Sequence, residues 1–340
     1  MKRPSKNKND STPRKKIKLN DTRPELENVP PIRCFNDLVK ISRTIKLYKN
    51  IDSIMLWKIS AQLEILNNLI GMESLKETLF YQILYYLQGM HLRNTSSEYL
   101  HTMIYGAPGC GKTTVAKIIG KIYKNLGIIS PHGTFKIAYR EDFIAGYLGQ
   151  TAIKTQKLLN SCLGGVLFID EVYALAPNKN DRDSFSKEAI DTLNVFLSEH
   201  KNDFCCIAAG YKENIENCFF PLNKGLQRRF PWRHYIQLYN SQELTDIFIK
   251  FVLENNWKIG VDKIQINKLI EQNQKLFVNT GGDIETFFTK CKIMHAKRVI
   301  CLSQEHRFIL IKKDIENALE LFKKHKNYSE QNENIEQLYI

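Results

Sequence analysis

Short apolar runs alternate with helix-like stretches through the middle of the chain. Residues 166–169 (VLFI) and 204–209 (FCCIAA) are wholly apolar, as in strands buried on both faces of a parallel sheet. The stretches between such runs carry apolar residues at helical spacing. Strands that alternate with helices in this way predict an α/β fold with a doubly wound parallel sheet. The predicted strands are residues 99–105, 133–139, 166–169 and 204–209, and the predicted helices are residues 113–126, 151–162 and 184–199.

The pattern is helical on both sides of this sheet region. Upstream, apolar residues recur at helical spacing between residues 35 and 69, and a further helix over residues 72–93 leads into the first strand. Downstream of Ile236 the strand pattern fades, which predicts a second, helical domain formed by residues 242–254, 263–274, 283–299 and 313–324. We expect a disordered basic tail (1–31), a helical extension (32–69), an α/β domain (70–237), a smaller helical domain (238–326) and a polar C-terminal tail (327–340).

Residues 106–114, GAPGCGKTT, have the glycine and lysine spacing of a phosphate-binding loop. The stretch lies between a predicted strand and a predicted helix, as that motif requires. Backbone N–H groups of the loop and of the helix N-terminus would hold nucleotide phosphates. Lys112 would reach the β- and γ-phosphates, and the Thr113 hydroxyl would bind Mg²⁺. The predicted nucleotide-binding residues of the loop are Gly106, Ala107, Pro108, Gly109, Cys110, Gly111, Lys112, Thr113 and Thr114.

An acidic pair, Asp170 and Glu171, directly follows the apolar run at residues 166–169. A buried strand that ends in carboxylates can deliver one to Mg²⁺ and a second to the attacking water. A strand merely capped by acids is the alternative. We favour the catalytic interpretation because the pair follows the phosphate-binding loop in an alternating α/β pattern. Asp170 is therefore the predicted metal ligand and Glu171 the predicted general base.

The chain is strongly basic, and part of its charge lies in the N-terminal tail. Its 340 residues hold 49 Lys and Arg against 36 Asp and Glu, a formal net charge of +13 that suggests acidic partners. Residues 1–31 alone hold nine Lys and Arg and four Asp and Glu. Lys2-Arg3 together with residues 14–18 resembles a two-part nuclear import signal. The alternatives are an arm that binds nucleic acid nonspecifically and an inert solvated tail.

Cysteine use and hydropathy indicate an intracellular, soluble protein without a membrane partner. The eight cysteines are scattered and include no Cys-x-x-Cys pair, which fits a reducing compartment. No apolar run approaches the roughly 18 residues of a membrane span, and no apolar segment follows the basic N-terminus. Cys291, His295, Cys301 and His306 could supply zinc ligands, but their spacing matches no common zinc finger, and we interpret them as ordinary helix residues.

From about Ile70 to Ala318 the chain resembles the AAA+ ATPases, and among them the CbbX/CfxQ type. The resemblance implies a five-stranded sheet domain with a helical lid, ATP and Mg²⁺ bound between them, and assembly into a homo-oligomeric, hexameric ring. It also implies that Ile70 and Gly71 lie beside the adenine. The strings that carry the resemblance are LIGMESLK, GAPGCGKTT, GYLGQTAIKT, GGVLFIDEVYAL, IAAGYKENI and NKGLQRRF.

Two further assignments rest on this resemblance. Arg229, with Arg228 beside it, matches the position of the family's arginine finger, which stabilises transition-state charge in an adjacent subunit. Tyr147 and Leu148, flanked by Gly146 and Gly149, match the family's pore loop, where an aromatic residue grips a substrate chain.

The chain departs from the wider family in two places. Ala209-Gly210-Tyr211 follows the fourth strand where many members place a polar residue that positions the water. In the lid, Gly281-Gly282-Asp283 stands where the CbbX type has an arginine that faces the γ-phosphate, so we assign no second-sensor arginine.

Three functions compete. We expect a chaperone-like ATPase that remodels or threads a protein substrate. The main alternative is an ATP-driven motor or loader on nucleic acid, suggested by the basic composition and tail. A Tyr-Leu pair in the pore loop favours a polypeptide, because a nucleic-acid motor more often places Lys or Arg there. A nucleotide-binding switch without turnover is disfavoured, because Lys112, Thr113, Asp170, Glu171 and Arg229 are all present.

Overall fold

The computed structural model describes residues 26–44, 46–93, 98–147, 149–177, 184–301 and 306–338. The predicted import signal lies outside the described residues, as does Leu148 of the predicted pore loop. No helix in the described ranges combines the length and the apolar composition needed to cross a membrane. In the same ranges, no group of three or more His, Cys, Asp or Glu side chains is arranged to hold a metal ion, and Cys291 and His295 are buried on one helix.

Three short helices form the N-terminal extension and pack on each other and on the helix that follows. Leu56, Ile59, Leu63 and Leu66 share one face, and each is at most 2% exposed, as their spacing predicts. Asp52 caps the second helix by accepting a hydrogen bond from the Met55 amide at 2.9 Å. The helices are α1 Phe35–Ser42, α2 Ser53–Lys58, α3 Ser60–Asn67 and α4 Glu73–Leu87.

The α/β domain contains a parallel sheet of five strands in the order β2-β3-β4-β1-β5. The strands are β1 Thr102–Tyr105, β2 Phe135–Ala138, β3 Val166–Ile169, β4 Cys205–Gly210 and β5 Trp232–Tyr235. The connecting helices are α5 Lys112–Asn125, α6 Arg140–Phe143, α7 Thr151–Asn160, α8 Ser184–Glu199, α9 Lys212–Asn214 and α10 Leu226–Arg229. One hydrophobic core lies under α4 and α5, and the other lies under α7 and α8, so the predicted doubly wound fold is confirmed.

All five strands point the same way, so their carboxyl ends meet at one edge of the sheet. The central strands β1, β4 and β3 are buried along their whole length because they are wholly or largely apolar. The phosphate-binding loop leaves β1, the acidic pair follows β3, and Tyr211 follows β4. The candidate site residues therefore lie together at this edge, as expected for ligand sites in α/β folds.

The smaller domain is a helical lid that packs beside the phosphate-binding loop. Its helices are α11 Ser241–Glu254, α12 Lys263–Gln272, α13 Thr280–Val299 and α14 Lys312–Leu338, and its two short parallel strands are β6 Lys258–Ile259 and β7 Ile309–Leu310. A buried network joins the two longest helices. Asp314 accepts hydrogen bonds from Arg298 Nε at 2.8 Å and Nη2 at 2.9 Å, and His295 Nδ1 lies 3.1 Å from Asp314.

The structure departs from the sequence expectations at both ends of the chain. The expected disordered tail extends to residue 31, yet Glu27 exchanges backbone hydrogen bonds with Leu47 and Lys49 and forms an ion pair with Lys46. At the other end, α14 continues to Leu338 through the residues expected to form a polar C-terminal tail. Residues 327–338 contain no Gly or Pro and several Glu and Gln, so nothing in their composition ends the helix.

Candidate nucleotide-binding site

The phosphate-binding loop is held around the ammonium group of Lys112. The side chain is 6% exposed and donates hydrogen bonds to the carbonyl oxygens of Gly106 at 3.3 Å and Ala107 at 3.1 Å. Its Nζ lies 3.4 Å from Glu171 Oε1, so the loop and the acidic pair meet directly. A buried cation with a carboxylate and the loop backbone around it is suited to hold phosphate oxygens.

Two glycines of the loop take backbone conformations that other residues rarely adopt. Gly109 has φ +67° and Gly111 has φ +92°, in the left-handed region. Gly111 is also the N-cap of α5, so the loop runs directly into the positive end of a 14-residue helix. The left-handed backbone explains why the motif requires glycine at position 111, and it makes glycine favourable at position 109.

The acidic pair lies beside the start of α5. Thr113 Oγ1 lies 3.4 Å from Asp170 Oδ2, and the Glu171 amide donates a hydrogen bond to Asp170 Oδ1 at 3.0 Å. A hydroxyl and a carboxylate are hard oxygen ligands, the kind that Mg²⁺ prefers. The donor set therefore fits Mg²⁺, which would neutralise charge on the nucleotide phosphates when bound.

Glu171 is held in a conformation suited to a catalytic base. Its φ of +50° is unusual for a residue with a side chain, and such strain is found at functional sites. Burial raises the pKa of Glu171 above its ordinary value, Lys112 opposes this shift, and Asp170 adds to it. Oε2 of Glu171 is buried without a hydrogen-bond partner among the described residues. A carboxylate oxygen left open beside the phosphate-binding lysine can accept a proton from a water.

A cavity of about 240 Å³ adjoins the phosphate-binding loop, and Glu171 is not among its lining residues. Ile70, one of the two residues expected beside the adenine, lines the cavity, while Gly71, the other, is outside the lining and packs against Tyr239 and Glu243 with φ +65°. Half of the remaining lining residues come from the lid, which the family resemblance places against the nucleotide without specifying these residues. The cavity is lined by Leu69, Ile70, Met72, Gly109, Cys110, Gly111, Thr114, Tyr239, Ile247, Lys250, Phe251, Glu254 and Gly281.

The lid reaches the loop through backbone contacts at the start of α13. A methyl group added to Gly281 would lie 2.6 Å from the carbonyl oxygen of Gly109, and one added to Gly109 would lie 2.6 Å from the carbonyl oxygen of Asn279. Thr280, with φ +47°, donates a hydrogen bond to the Pro108 carbonyl at 3.4 Å. Asp283, near the expected position of a sensor arginine, instead accepts a hydrogen bond from Lys326 of α14 at 2.7 Å.

Tyr211, directly after β4, lies beside Lys112 of the phosphate-binding loop. Its ring centroid lies 5.7 Å from Lys112 Nζ and 5.9 Å from the ring of Tyr173. Burial raises the pKa of the Tyr211 phenol, and the nearby Glu171 carboxylate raises it further. The hydroxyl therefore stays protonated and can donate a hydrogen bond within the site.

Arg229 lies far from this cluster. Its Nε donates to Ser198 Oγ at 2.6 Å, and its Nη1 donates to the Gly225 carbonyl at 2.7 Å. It lies near His101, whose pKa is lowered to about 4, mainly by burial and partly by Arg229. His101 precedes β1 whereas the phosphate-binding loop follows it, and a four-residue strand spans about 13 Å. Arg228, beside it, is exposed.

The predicted pore loop projects between α6 and α7. Tyr147 is 74% exposed, and no heavy atom lies within 4 Å of a methyl group placed on Gly146 or Gly149. The base of the loop is fixed, because Thr151 Oγ1 accepts from the Ala145 amide at 3.2 Å. Arg140 of α6 donates hydrogen bonds to the carbonyls of Ala174 at 2.6 Å and Ala176 at 3.1 Å, which links the loop to the segment after Glu171.

Comparisons with known proteins agree with this geometry. Residues 102–237 match the family model described as "ATPase family associated with various cellular activities (AAA)". The chain is 40% identical over 259 residues to the cfxQ-like protein R730 of Acanthamoeba polyphaga mimivirus, a match that covers 75% of this chain and 63% of that protein. It is 40% identical over 161 residues to stage V sporulation protein K of Bacillus subtilis (strain 168), which covers 47% of this chain and 49% of that protein. The matches thus leave a third or more of each relative's length uncovered.

A solved structure shows the same fold at low sequence identity. The AAA domain of FIGL-1 in complex with ADP aligns with a TM-score of 0.54 at 17% identity, and the alignment covers 78% of this chain and 89% of that chain. The predicted resemblance and fold class are confirmed: residues 102–237 form a domain of the AAA ATPase family, and the chain is similar to a cfxQ-like protein over 75% of its length.

Proposed function

We propose that this chain binds ATP and Mg²⁺ and hydrolyses ATP within a homo-oligomeric ring, which is a hexamer as the family resemblance implies. The observation that carries the proposal is the contact between Lys112 and Glu171 at 3.4 Å, beside Thr113 and Asp170. Lys112 and the loop amides hold the phosphates, and Glu171 takes a proton from the attacking water. Thr113 and Asp170 hold the metal.

The position of Arg229 supports the proposed ring. Its guanidinium is bonded to Ser198 and Gly225, on the far side of β1 from the phosphate-binding loop, so it cannot reach the nucleotide of its own subunit. A second subunit that presents its loop to Arg229 would complete the site, with charge stabilisation supplied in trans.

A mixing experiment tests this arrangement. Glu171→Gln and Arg229→Ala subunits should each be inactive alone, and mixing them should restore part of the ATPase rate, because some interfaces then combine an intact base with an intact arginine. Arg228→Ala serves as the matched control and should retain most of the activity. Absence of rescue at every mixing ratio, with assembly verified by sedimentation, would contradict a shared site.

We propose a polypeptide as the substrate, gripped by Tyr147 in the ring channel. The support is an exposed aromatic residue on a loop whose base is anchored and whose flanking glycines leave open space. Tyr147→Ala should keep the basal ATPase rate and lose stimulation by an unfolded protein such as casein. Tyr81→Ala removes a comparably exposed tyrosine from α4 and should keep the stimulation.

A nucleic-acid substrate is the second candidate, supported by the formal net charge of +13. It predicts that single-stranded DNA, and not casein, stimulates hydrolysis, and that the effect weakens steeply with salt because counterions are released. Stimulation by casein alone would eliminate it.

A further inference from the structure

The extension formed by α2 and α3 is apolar on both of its faces, although only one face is covered. The two helices are nearly continuous, since the Ile59 amide bonds to the Met55 carbonyl at 3.2 Å and the Leu63 amide bonds to the Ile59 carbonyl at 2.9 Å. The inner face carries the buried leucines and Ile59. A surface helix ordinarily carries polar residues on its other face.

The outer face instead presents an apolar stripe, defined here as Ile54, Trp57, Ala61 and Ile65. These residues are spaced by three or four positions and therefore lie on one side of the helix pair. Ile54 is 61% exposed, Trp57 is 60% exposed and Ile65 is 48% exposed. Large apolar side chains grouped on a surface in this way mark interaction sites, and tryptophan is enriched among residues that dominate binding energy.

Lysines flank the stripe. Lys58 is exposed on α2, and Lys117 and Lys121 are exposed on α5, which contains no acidic residue. The two elements are joined directly, because Asn125 Nδ2 of α5 donates to the Lys58 carbonyl at 3.0 Å and to Gln62 Oε1 at 3.1 Å. The C-terminal end of α5 therefore meets the helix pair that carries the stripe, and all charged residues of α5 are lysines.

The acidic residues near the stripe are already engaged. Glu64 Oε1 accepts a hydrogen bond from Arg43 Nε at 2.6 Å, and Asp52 caps α2. The surface thus offers an apolar centre and a positive margin, which complements an amphipathic segment with an apolar face and acidic flanks.

We propose that the stripe and the lysines of α5 form a docking surface for an acidic amphipathic helix of a partner protein. Charge argues against the other occupants. A second copy of the surface would bring its lysines against these lysines, and the N-terminal tail of the chain is itself basic. A nucleic acid could bind the lysines through its phosphates, but it would not bury isoleucines at helical spacing, because its bases stack on aromatic side chains. The surface does not depend on the proposed ring activity.

Fluorescence anisotropy with two labelled peptides tests the proposal on the full chain. Both peptides carry leucines at positions i, i+3, i+4 and i+7 of a helix, and their remaining positions are glutamate in one and lysine in the other. The glutamate peptide should bind, and the lysine peptide should bind about tenfold more weakly or not at all. Trp57→Ala and Ile65→Ser should each weaken the glutamate peptide about tenfold.

Matched variants keep the test specific. Leu253→Ser changes an equally exposed apolar residue of the lid and should leave peptide binding unchanged, and Lys117→Glu with Lys121→Glu should weaken the glutamate peptide without affecting folding by circular dichroism. The proposal is overturned if both peptides bind alike or if Trp57→Ala has no effect on a folded chain. It is also overturned if Trp57→Ala instead removes binding of a uridine 20-mer, or lowers the oligomeric mass in sedimentation without affecting peptide binding.

Discussion

The α/β domain and the lid contribute different kinds of groups to the candidate nucleotide site. The α/β domain contributes charged and hydroxyl side chains, namely Lys112, Thr113, Asp170 and Glu171, all within a few ångströms of each other. The lid contributes a backbone approach, with Gly281 against Gly109, and a mixed wall of Ile247 and Phe251 with Lys250 and Glu254; the lining residues include no arginine. In the proposed function, the α/β domain would therefore supply the catalytic groups, while the lid would enclose the adenine and contact the phosphate-binding loop.

The largest expected effect is on the charged residues of the α/β domain. Lys112→Ala should weaken ATP binding by roughly 30-fold to 5,000-fold, because removal of one partner of a buried charge pair costs about 2–5 kcal/mol. Titration with a fluorescent ATP analogue measures it. Lys121→Ala, an exposed lysine on the same helix, is the control, and equal affinities for the two variants would contradict the assignment.

The rate should depend on pH through Glu171. Because burial raises the pKa of this base, the ionised form is lost at a higher pH than for an ordinary glutamate, and turnover falls as the pH drops through the raised pKa. Below that point kcat should fall about tenfold per pH unit. A pH profile of kcat at saturating ATP measures this decrease. If kcat falls only at the pKa of an ordinary glutamate, the catalytic base is not the buried Glu171 carboxylate.

The lid contact gives a smaller and more selective effect. In Gly281→Ala the new methyl group meets the Gly109 carbonyl, so the lid must move away from the loop and nucleotide affinity should fall about tenfold. Gly282→Ala points into open space and should bind nucleotide as the wild type does. Hydrogen exchange at residues 279–283 should rise only in the first variant. Equal nucleotide affinities for the two variants would contradict the proposed backbone contact between the lid and the phosphate-binding loop.

The smallest expected effect concerns the lid tyrosine above the loop. Tyr239 donates a hydrogen bond to the Cys110 carbonyl at 3.2 Å, and a single neutral hydrogen bond is worth about 1 kcal/mol. Tyr239→Phe should therefore lower ATP affinity by about fivefold. A loss of affinity as large as that of Lys112→Ala would show that the lid contributes as much to ATP binding as the charged residues of the α/β domain do.

The sequence predicted the elements whose signal is local. β3 coincides with the predicted run at residues 166–169, because a short, wholly apolar stretch followed by two acidic residues is typical of a buried strand. β5 was not predicted as a strand, since Trp232–Tyr235 contains Arg and His, and His234 is accommodated in the core by a contact between its Nδ1 and Thr78 Oγ1 at 2.8 Å. The two-residue strands of the lid are too short to show any period.

The residues of the candidate site also differ in whether their signal in the sequence is local. The residues of the phosphate-binding loop and the acidic pair were found from motifs, because their chemistry fixes their spacing along the chain. Tyr239, Phe251 and Gly281 were not, since they reach the loop only when the lid docks. The hydrogen bond from Thr280 to Pro108 joins residues 172 positions apart, a distance over which a sequence pattern carries no information about contact.

Glu171→Gln tests the central claim most directly, because it removes the base and keeps the size and position of the side chain. ATP affinity and the single-turnover hydrolysis rate should be measured on the same preparation. We expect ATP to bind at least as tightly as it binds the wild type, while hydrolysis falls by roughly 100-fold to 10,000-fold. Hydrolysis at the wild-type rate, or loss of binding together with hydrolysis, would contradict an account in which Lys112 binds and Glu171 catalyses.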